Sequence, residues 1–208
     1  MKRILTLIAA AVVAVACGNA LARLLAGDEN FSARMPYTYP RHSAALTTYD
    51  FRVSEQTGTM EGVYDYNAQV DVQWPFGFGL SYTTFDYSKP TVTVAKDGTV
   101  TAKVIVTNTG KVAGKEAVGL YVSAPAGGLE KPAKELKAFA KTRLLAPGES
   151  QTLTFSVKAY DLASFNEQAN RWETAAGTYT FGFGRNVRDI PVSFQAVIKN
   201  ASTFAVSK

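Results

Sequence analysis

The sequence contains little of what most catalytic and metal sites require. It has one cysteine, Cys17, and one histidine, His42, in 208 residues. A single cysteine excludes an internal disulfide, and a single histidine does not supply the shared ligands of a zinc site. His42 also has no cysteine nucleophile beside it to activate. We therefore expect no metal, no cofactor and no disulfide, and a fold that depends on packing alone.

Clustered positive charge is also absent. Lysine and arginine number 22 against 17 aspartates and glutamates, and residues 18–87 are net acidic whereas residues 88–208 are net basic. The lysines of the second part are spread over alternating positions instead of forming a run or a helical stripe. A nucleic-acid-binding surface needs such clustering. We therefore expect no nucleic-acid partner.

An export signal occupies the N-terminus. Lys2 and Arg3 precede an apolar run over residues 4–15, which is short for a bilayer span and typical of a signal peptide. Residues 14–17, Ala-Val-Ala-Cys, resemble a lipoprotein cleavage site, so we interpret residues 1–17 as the signal peptide and Cys17 as a lipidation site. Ordinary cleavage after Ala22 is the alternative, and it would discard the thiol. Both predict an exported protein of a Gram-negative bacterium, periplasmic or outer-membrane-anchored. A lipid anchor, which only the first interpretation provides, would be its only membrane contact.

Residues 88–208 alternate apolar and polar side chains with the period of two that a half-buried β-strand requires. The runs lie at residues 92–94, 100–106, 118–122, 134–141, 153–157, 179–183 and 192–198, of which 134–141 is the least regular. Turn residues such as Asp97-Gly98 and Pro147-Gly148 separate them. About seven short strands in roughly 120 residues predict a mainly β fold, an immunoglobulin-like sandwich of the fibronectin type III kind.

A long connection over residues 160–176 favours a Greek-key link between two sheets over a simple barrel. Trp172 lies in this connection, and its ring has two interpretations. It could stack on a sugar, or it could cover one end of the core. We favour the second, because a single aromatic residue seldom makes a binding face.

Two glycine-rich stretches look alike, Phe76-Gly77-Phe78-Gly79 and Phe181-Gly182-Phe183-Gly184. Neither opens a helix, which excludes a phosphate-binding loop of the usual kind. We interpret both as places where the backbone packs closely beside large rings.

Residues 18–74 have a different pattern. Residues 19–26 are rich in strong helix formers and stop at Gly27, which predicts a short helix. Residues 34–40 include two prolines and predict a short edge strand, and residues 43–73 show no sustained periodicity. One helix and one strand cannot bury their apolar faces on each other. We expect this part to pack against something larger than itself.

Several motifs of the chain resemble those of family-three glycoside hydrolases. Residues 18–41 are similar to the last helix and strand of that family's α/β sandwich domain. Residues 74–85, Trp-Pro-Phe-Gly-Phe-Gly-Leu-Ser-Tyr-Thr-Thr-Phe, resemble the Pro-Phe-Gly-x-Gly-Leu-Ser-Tyr-Thr-x-Phe signature that leads into its fibronectin type III-like domain. Further matching motifs follow in order at residues 106–110, 113–116, 121–122, 131–132, 134–136 and 145–150. The resemblance extends from about residue 18 to about residue 198.

The resemblance implies a domain order. Residues 1–17 are the signal peptide, 18–74 a C-terminal remnant of the α/β sandwich domain, 75–87 a connecting signature segment and 88–208 a fibronectin type III-like domain. We expect the last of these to fold on its own. The family's nucleophile is an aspartate of an N-terminal barrel, and its acid/base is usually a glutamate earlier in the second domain. Neither region matches any part of this sequence, so no catalytic residue is carried over.

Three pairs of carboxylates are candidates for catalysis independently of the resemblance. Retaining glycoside hydrolysis needs two carboxyl groups about 5 Å apart, one of them with a raised pKa. The nearest candidates are Asp28 with Glu29, Glu61 with Asp65, and Glu167 with Glu173. Each pair lies at a helix end or in a polar loop, where solvated carboxylates are usual. We expect none of them to be catalytic.

Two functions remain. The first is the C-terminal portion of a β-glucosidase-like hydrolase, a structural module that is not catalytically self-sufficient. Its partner would be the missing catalytic domains on a separate chain, and a carbohydrate substrate would be bound only in that context. The second is a free-standing exported sandwich lipoprotein that binds carbohydrate or protein. The length and order of the matching motifs favour the first.

Overall fold

The computed structural model describes residues 18–41, 72–129 and 131–205. The predicted signal segment with Cys17, the pair Glu61 and Asp65, His42 and most of the aperiodic segment lie outside these residues. Within the described ranges, no helix is both long enough and apolar enough to cross a bilayer.

One α-helix and a series of short strands make up the described chain. The helix, α1, covers residues 18–26. The strands are β1 (Tyr39–Pro40), β2 (Val72–Trp74), β3 (Phe85–Tyr87), β4 (Thr91–Val94), β5 (Val100–Asn108), β6 (Ala117–Ser123), β7 (Glu135–Lys141), β8 (Ser150–Val157), β9 (Ser164–Asn166), β10 (Arg171–Thr174), β11 (Gly177–Gly184), β12 (Val192–Ile198) and β13 (Ser202–Phe204).

The predicted N-terminal helix is confirmed, and its end follows from glycine. Gly27 has a φ of +86°, a conformation that costs glycine little. This lets the Asp28 amide donate to the Arg23 carbonyl at 3.0 Å. One carbonyl of the last turn thus gains a hydrogen bond that the helix itself does not supply.

The predicted edge strand over residues 34–40 is much shorter in the structure. Only β1 is a strand, and it pairs antiparallel with β2. Pro36 has no amide proton, so it cannot donate a hydrogen bond to a neighbouring strand. The Met35 backbone pairs instead with residues 77 and 78, through bonds of 2.8 and 2.7 Å.

Strand β5 is the centre of one sheet of the sandwich. β8 pairs with β5 over residues 100–107, while β3 and β4 pair with the two ends of its other edge. The second sheet has the order β12-β11-β6-β7, with every pair antiparallel. The predicted mainly β, immunoglobulin-like sandwich is therefore confirmed.

The core lies between the inner faces of these two sheets. Its main members are Val100, Ala102, Val104 and Val106 of β5, Leu153, Phe155 and Val157 of β8, Val118, Leu120 and Val122 of β6, and Tyr179, Phe181 and Phe183 of β11. Branched and aromatic side chains of this kind fit the pleated surface of a sheet. The alternation predicted for β5 and β8 corresponds to the buried and exposed residues of both strands.

The sandwich begins before the predicted boundary at residue 88. β3 pairs with the end of β5, and Phe85 is only 3% exposed in the core. The Thr83 hydroxyl, also buried, donates to Asn108 Oδ1 at 2.7 Å. The prediction placed these residues in the connecting segment, because a strand of three residues is too short to show a period of two. The folded unit therefore includes residues from Thr83 onwards.

A small three-stranded sheet joins the long connection to the C-terminal strand β13. It follows a 3₁₀ turn at Ala159–Leu162 and has the order β13-β10-β9, which places Phe165, Trp172 and Phe204 opposite one another. The Trp172 ring meets Phe165 at 5.4 Å and Tyr160 at 6.0 Å, with angles near 60° between the planes. These rings pack edge to face in a small aromatic core instead of forming a flat platform. The geometry agrees with the packing interpretation of Trp172.

Candidate interaction surface

The signature segment lies against the outer face of the β12-β11-β6-β7 sheet. On one side, the Gly77 amide donates to the Met35 carbonyl and the Met35 amide donates to the Phe78 carbonyl. On the other side, the Val187 amide donates to the Phe76 carbonyl at 3.1 Å. The segment thus joins the N-terminal part of the chain to the loop between β11 and β12.

Strand β6 is buried on both faces because of this cover. A side chain at Gly77 would place its Cβ 2.9 Å from Tyr121 Oη, and one at Gly119 would meet the Tyr121 ring at 2.8 Å. Tyr121 points to the outer face yet is 4% exposed, and its burial raises the pKa of its phenol. The sequence predicted a half-buried strand here, since alternation does not show what covers the second face.

The interpretation of the two glycine-rich stretches is confirmed. Phe181 and Phe183 lie in the core, while a Cβ at Gly182 would lie far inside van der Waals contact of Ile190 Cγ2. Gly77 has a φ of +84° as well as its close contact with Tyr121. At each place glycine lets another segment lie directly on the backbone.

Replacing Gly182 by alanine is expected to lower the free energy of unfolding by about 1–3 kcal/mol, because Ile190 would have to move away from the sheet. Urea unfolding monitored by tryptophan fluorescence would measure the loss. Gly128→Ala is the matched control, since the nearest atom to its Cβ would be 3.8 Å away. Equal stability of both variants would show that Ile190 does not pack as described.

Glu116 is the polar centre that fixes the N-terminal part to the sandwich. Its side chain is 2% exposed, and its Oε2 accepts a bond from Arg34 Nη2 at 2.6 Å. Its Oε1 accepts a bond from Tyr87 Oη at 2.8 Å and lies 3.9 Å from Arg185 Nε. The backbone amide of Glu116 donates to Thr142 Oγ1 at 2.9 Å. A buried carboxylate is tolerated when it is paired and hydrogen-bonded in this way.

The side chains that contact Glu116 make further interactions of their own. Arg34 also donates to the Gly79 carbonyl at 3.2 Å, and Arg185 lies over the Tyr87 ring at 5.2 Å. Burial, together with the negative charge of Glu116, raises the pKa of Tyr87. The phenol therefore stays protonated and donates its bond to Glu116. The result is a fixed link between residues 34, 79, 87 and 116.

A second link ties α1 to the signature segment. Asn30 Oδ1 accepts a bond from the Tyr82 amide at 2.8 Å, and Tyr82 Oη donates to the Leu24 carbonyl at 2.8 Å. The Tyr82 and Phe31 rings lie 5.3 Å apart. The helix is thus held by its end, while Leu21 and Leu25 remain more than half exposed.

Exposed rings continue from the signature segment onto the β1–β2 pair. Tyr37 and Tyr39 lie 5.0 Å apart, Tyr39 meets Trp74 edge to face at 5.6 Å, and Trp74 lies 6.4 Å from Phe78. We call these four residues the aromatic cluster. Tyr37, Tyr39 and Trp74 are each about 40–50% exposed, which is unusual for neighbouring rings on a monomer surface.

Neither of the two candidate carboxylate pairs among the described residues contains a buried carboxyl group. Asp28 and Glu29 are exposed, and Glu29 is paired with Arg23 at 2.7 Å. Glu167 is exposed, and bonds from Arg171 and then Asn166 lower the pKa of Glu173 instead of raising it. The structure also places no three metal-ligating side chains together among residues 18–41, 72–129 and 131–205.

Comparison with protein families and curated sequences gives one consistent result. A model of the fibronectin type III-like domain matches residues 116–187. Beta-glucosidase A of Butyrivibrio fibrisolvens is 38% identical over 205 residues, covering 83% of this chain and 24% of the relative. Thermostable beta-glucosidase B of Acetivibrio thermocellus is 35% identical over 206 residues, covering 92% of this chain and 27% of the relative.

Solved structures agree with the sequence comparison. Beta-glucosidase 3B from Thermotoga neapolitana, in complex with glucose, superposes with a TM-score of 0.77 at 34% identity, over 89% of this chain and 27% of that one. The beta-glucosidase of Kluyveromyces marxianus, also in complex with glucose, gives 0.80 at 30% identity, over 90% and 23%. The chain thus spans about a quarter of the length of the proteins it matches.

Proposed function

Because the chain belongs to the family-three glycoside hydrolases of the β-glucosidase type and corresponds to their C-terminal part, we propose that it is a structural module of such an enzyme. It completes an enzyme whose catalytic residues lie outside this sequence, and it does not hydrolyse glycosides alone. The observation that carries this proposal is that the chain matches only about a quarter of each relative, the quarter that corresponds to their C-terminal part.

The exposed rings support a partner of this kind. The aromatic cluster and the exposed leucines of α1 belong to residues similar to part of an α/β domain, so they have the composition of an interface that another layer covers. The Glu116 link holds the same region rigidly on the sandwich. A pre-organised surface loses less freedom on binding than a flexible one.

Export remains part of the proposal. The basic pair Lys2-Arg3, the apolar run that follows and Cys17 support a lipoprotein anchored in the periplasm or at the outer membrane. The partner chain with the catalytic domains would then have to be exported as well.

A chimera tests the proposed function. Residues 18–208 would replace the matched quarter of beta-glucosidase B of Acetivibrio thermocellus, and hydrolysis of an aryl β-glucoside would be measured. The chimera is expected to hydrolyse it, while the isolated chain gives only the buffer rate, because both catalytic carboxylates are supplied by the relative.

The control is the same relative with its matched quarter deleted, which is expected to be inactive. Turnover by the isolated chain that persists after repurification would contradict the proposal. So would a folded chimera no more active than the deletion control.

A further inference from the structure

Phe139 is the most exposed of the described large apolar side chains, at 79%. It lies on β7, the strand at the edge of the β12-β11-β6-β7 sheet, directly opposite Gly119. Its ring makes no contact with another ring among the described residues. A single exposed apolar residue needs no explanation, so its surroundings decide whether it matters.

A β-bulge gives Phe139 an apolar neighbour on the same face. Tyr121 pairs with Leu136, whereas the preceding residue of β6 pairs with Ala138, so Lys137 is the extra residue. Without the bulge, residues 136 and 139 would point to opposite faces of the strand. With the bulge, Leu136 and Phe139 both point to the outer face, because a bulge changes the direction of the side chains that follow it.

A series of contacts runs across the outer face from β7 to the aromatic cluster. Leu136 Cδ1 and the Tyr121 ring both lie over Gly119, at 2.9 and 2.8 Å from where its Cβ would stand. Tyr121 Oη in turn lies over Gly77. Gly77 precedes Phe78, whose ring faces Trp74 of the aromatic cluster. Leu136 is thus connected, through the buried Tyr121, to the segment that carries the aromatic cluster, and Phe139 points to the same face.

The lysine that lies between Leu136 and Phe139 along β7 is already paired, whereas Lys141 at the end of the strand is exposed on the same face as Phe139. Lys137 lies 3.0 Å from Glu135, and Lys131 lies 3.6 Å from the same carboxylate, with both lysine side chains less than 15% exposed. Interface centres are depleted of uncompensated charge. The strand therefore presents Leu136 and Phe139 without a free charge between them.

We propose that the catalytic part of the enzyme covers Leu136 and Phe139 as well as the aromatic cluster, so that the sandwich contributes directly to the interface. This inference rests on the proposed function. The comparisons indicate which part covers this face, because about three quarters of each relative lies outside the matched region and is available to cover it. Exposed apolar side chains on an edge strand are otherwise an aggregation liability.

The chimera with Acetivibrio thermocellus beta-glucosidase B tests this inference through a thiol at position 139. Phe139→Cys would be introduced into the isolated chain and into the chimera, with Cys17 changed to serine in the isolated full-length form. Maleimide labelling of residue 139 would be followed by peptide mass spectrometry. Labelling is expected to be at least about tenfold slower in the chimera, because a covered thiol is inaccessible to the reagent.

Ile105→Cys is the matched control. Ile105 is 44% exposed on β5, in the opposite sheet, and its labelling is expected to be unchanged. Equal labelling of residue 139 in both proteins, in a chimera that is active, would overturn this inference and leave the proposed function standing. An inactive chimera would instead overturn the proposed function, and the inference with it.

A second variant gives an independent readout. Phe139→Asp is expected to lower the melting temperature of the chimera and leave that of the isolated chain unchanged, because the side chain is solvated only in the latter. An equal effect on both proteins, or no effect on either, would contradict the placement of Phe139 in the interface.

Discussion

Replacing Arg34 by methionine is expected to lower the free energy of unfolding by about 3 kcal/mol. Glu116 would lose its closest cation while its own side chain stays buried, and breaking a buried ion pair from one side costs about 3–5 kcal/mol. We take the lower end, since Tyr87 and Arg185 still face the carboxylate. Urea unfolding of the full chain would measure the loss.

The double variant Arg34→Met with Glu116→Leu distinguishes a buried charge from simple loss of packing. It is expected to be more stable than Arg34→Met alone, because no uncompensated charge remains. Arg143→Met is the matched control, since the Arg143–Glu149 pair is about half exposed and exposed pairs contribute about 0–1 kcal/mol. Additive losses in the double variant would mean that Glu116 does not depend on Arg34.

A fragment of residues 88–208 is expected to be less stable than one of residues 83–208 by about 3–5 kcal/mol. The shorter fragment lacks Phe85, and deleting a buried phenylalanine costs about that much. Thermal and urea unfolding of both fragments would show the difference.

Phe85→Ala in the longer fragment is the matched variant and should reproduce most of that loss. If the two fragments unfold at the same denaturant concentration, β3 does not belong to the cooperative unit. The predicted boundary at residue 88 would then be the better one.

Local patterns in the sequence were enough to predict the strands that form the core. In β5 and β8 one face is apolar and the other polar, so the period of two is visible over seven or more residues. Strands β3, β9, β10 and β13 have three or four residues each, too few for a period to appear. The bulge in β7 also breaks the pattern, and it explains why residues 134–141 seemed irregular.

The candidate surface was only partly predictable for a different reason. Glycines 77 and 182 indicated close packing, because a residue without a side chain beside large rings suggests backbone contact. The pairing of Arg34 with Glu116 joins residues 82 positions apart, and a single sequence carries no signal for such a pair. Each residue belongs to a motif shared with the family, yet the motifs do not say which members touch.

Glu116 couples the stability of the N-terminal segment to that of the sandwich. One carboxylate serves both the segment that would meet a partner and the sandwich that carries it, so the two cannot loosen independently. Binding that holds Arg34 in place stabilises the sandwich by mass action, and loss of that binding lowers the stability of the sandwich. If the chain assembles as proposed, unassembled copies would therefore spend more time open than assembled copies, and proteases would remove them first. Turnover of the chain would then report whether its partner is present.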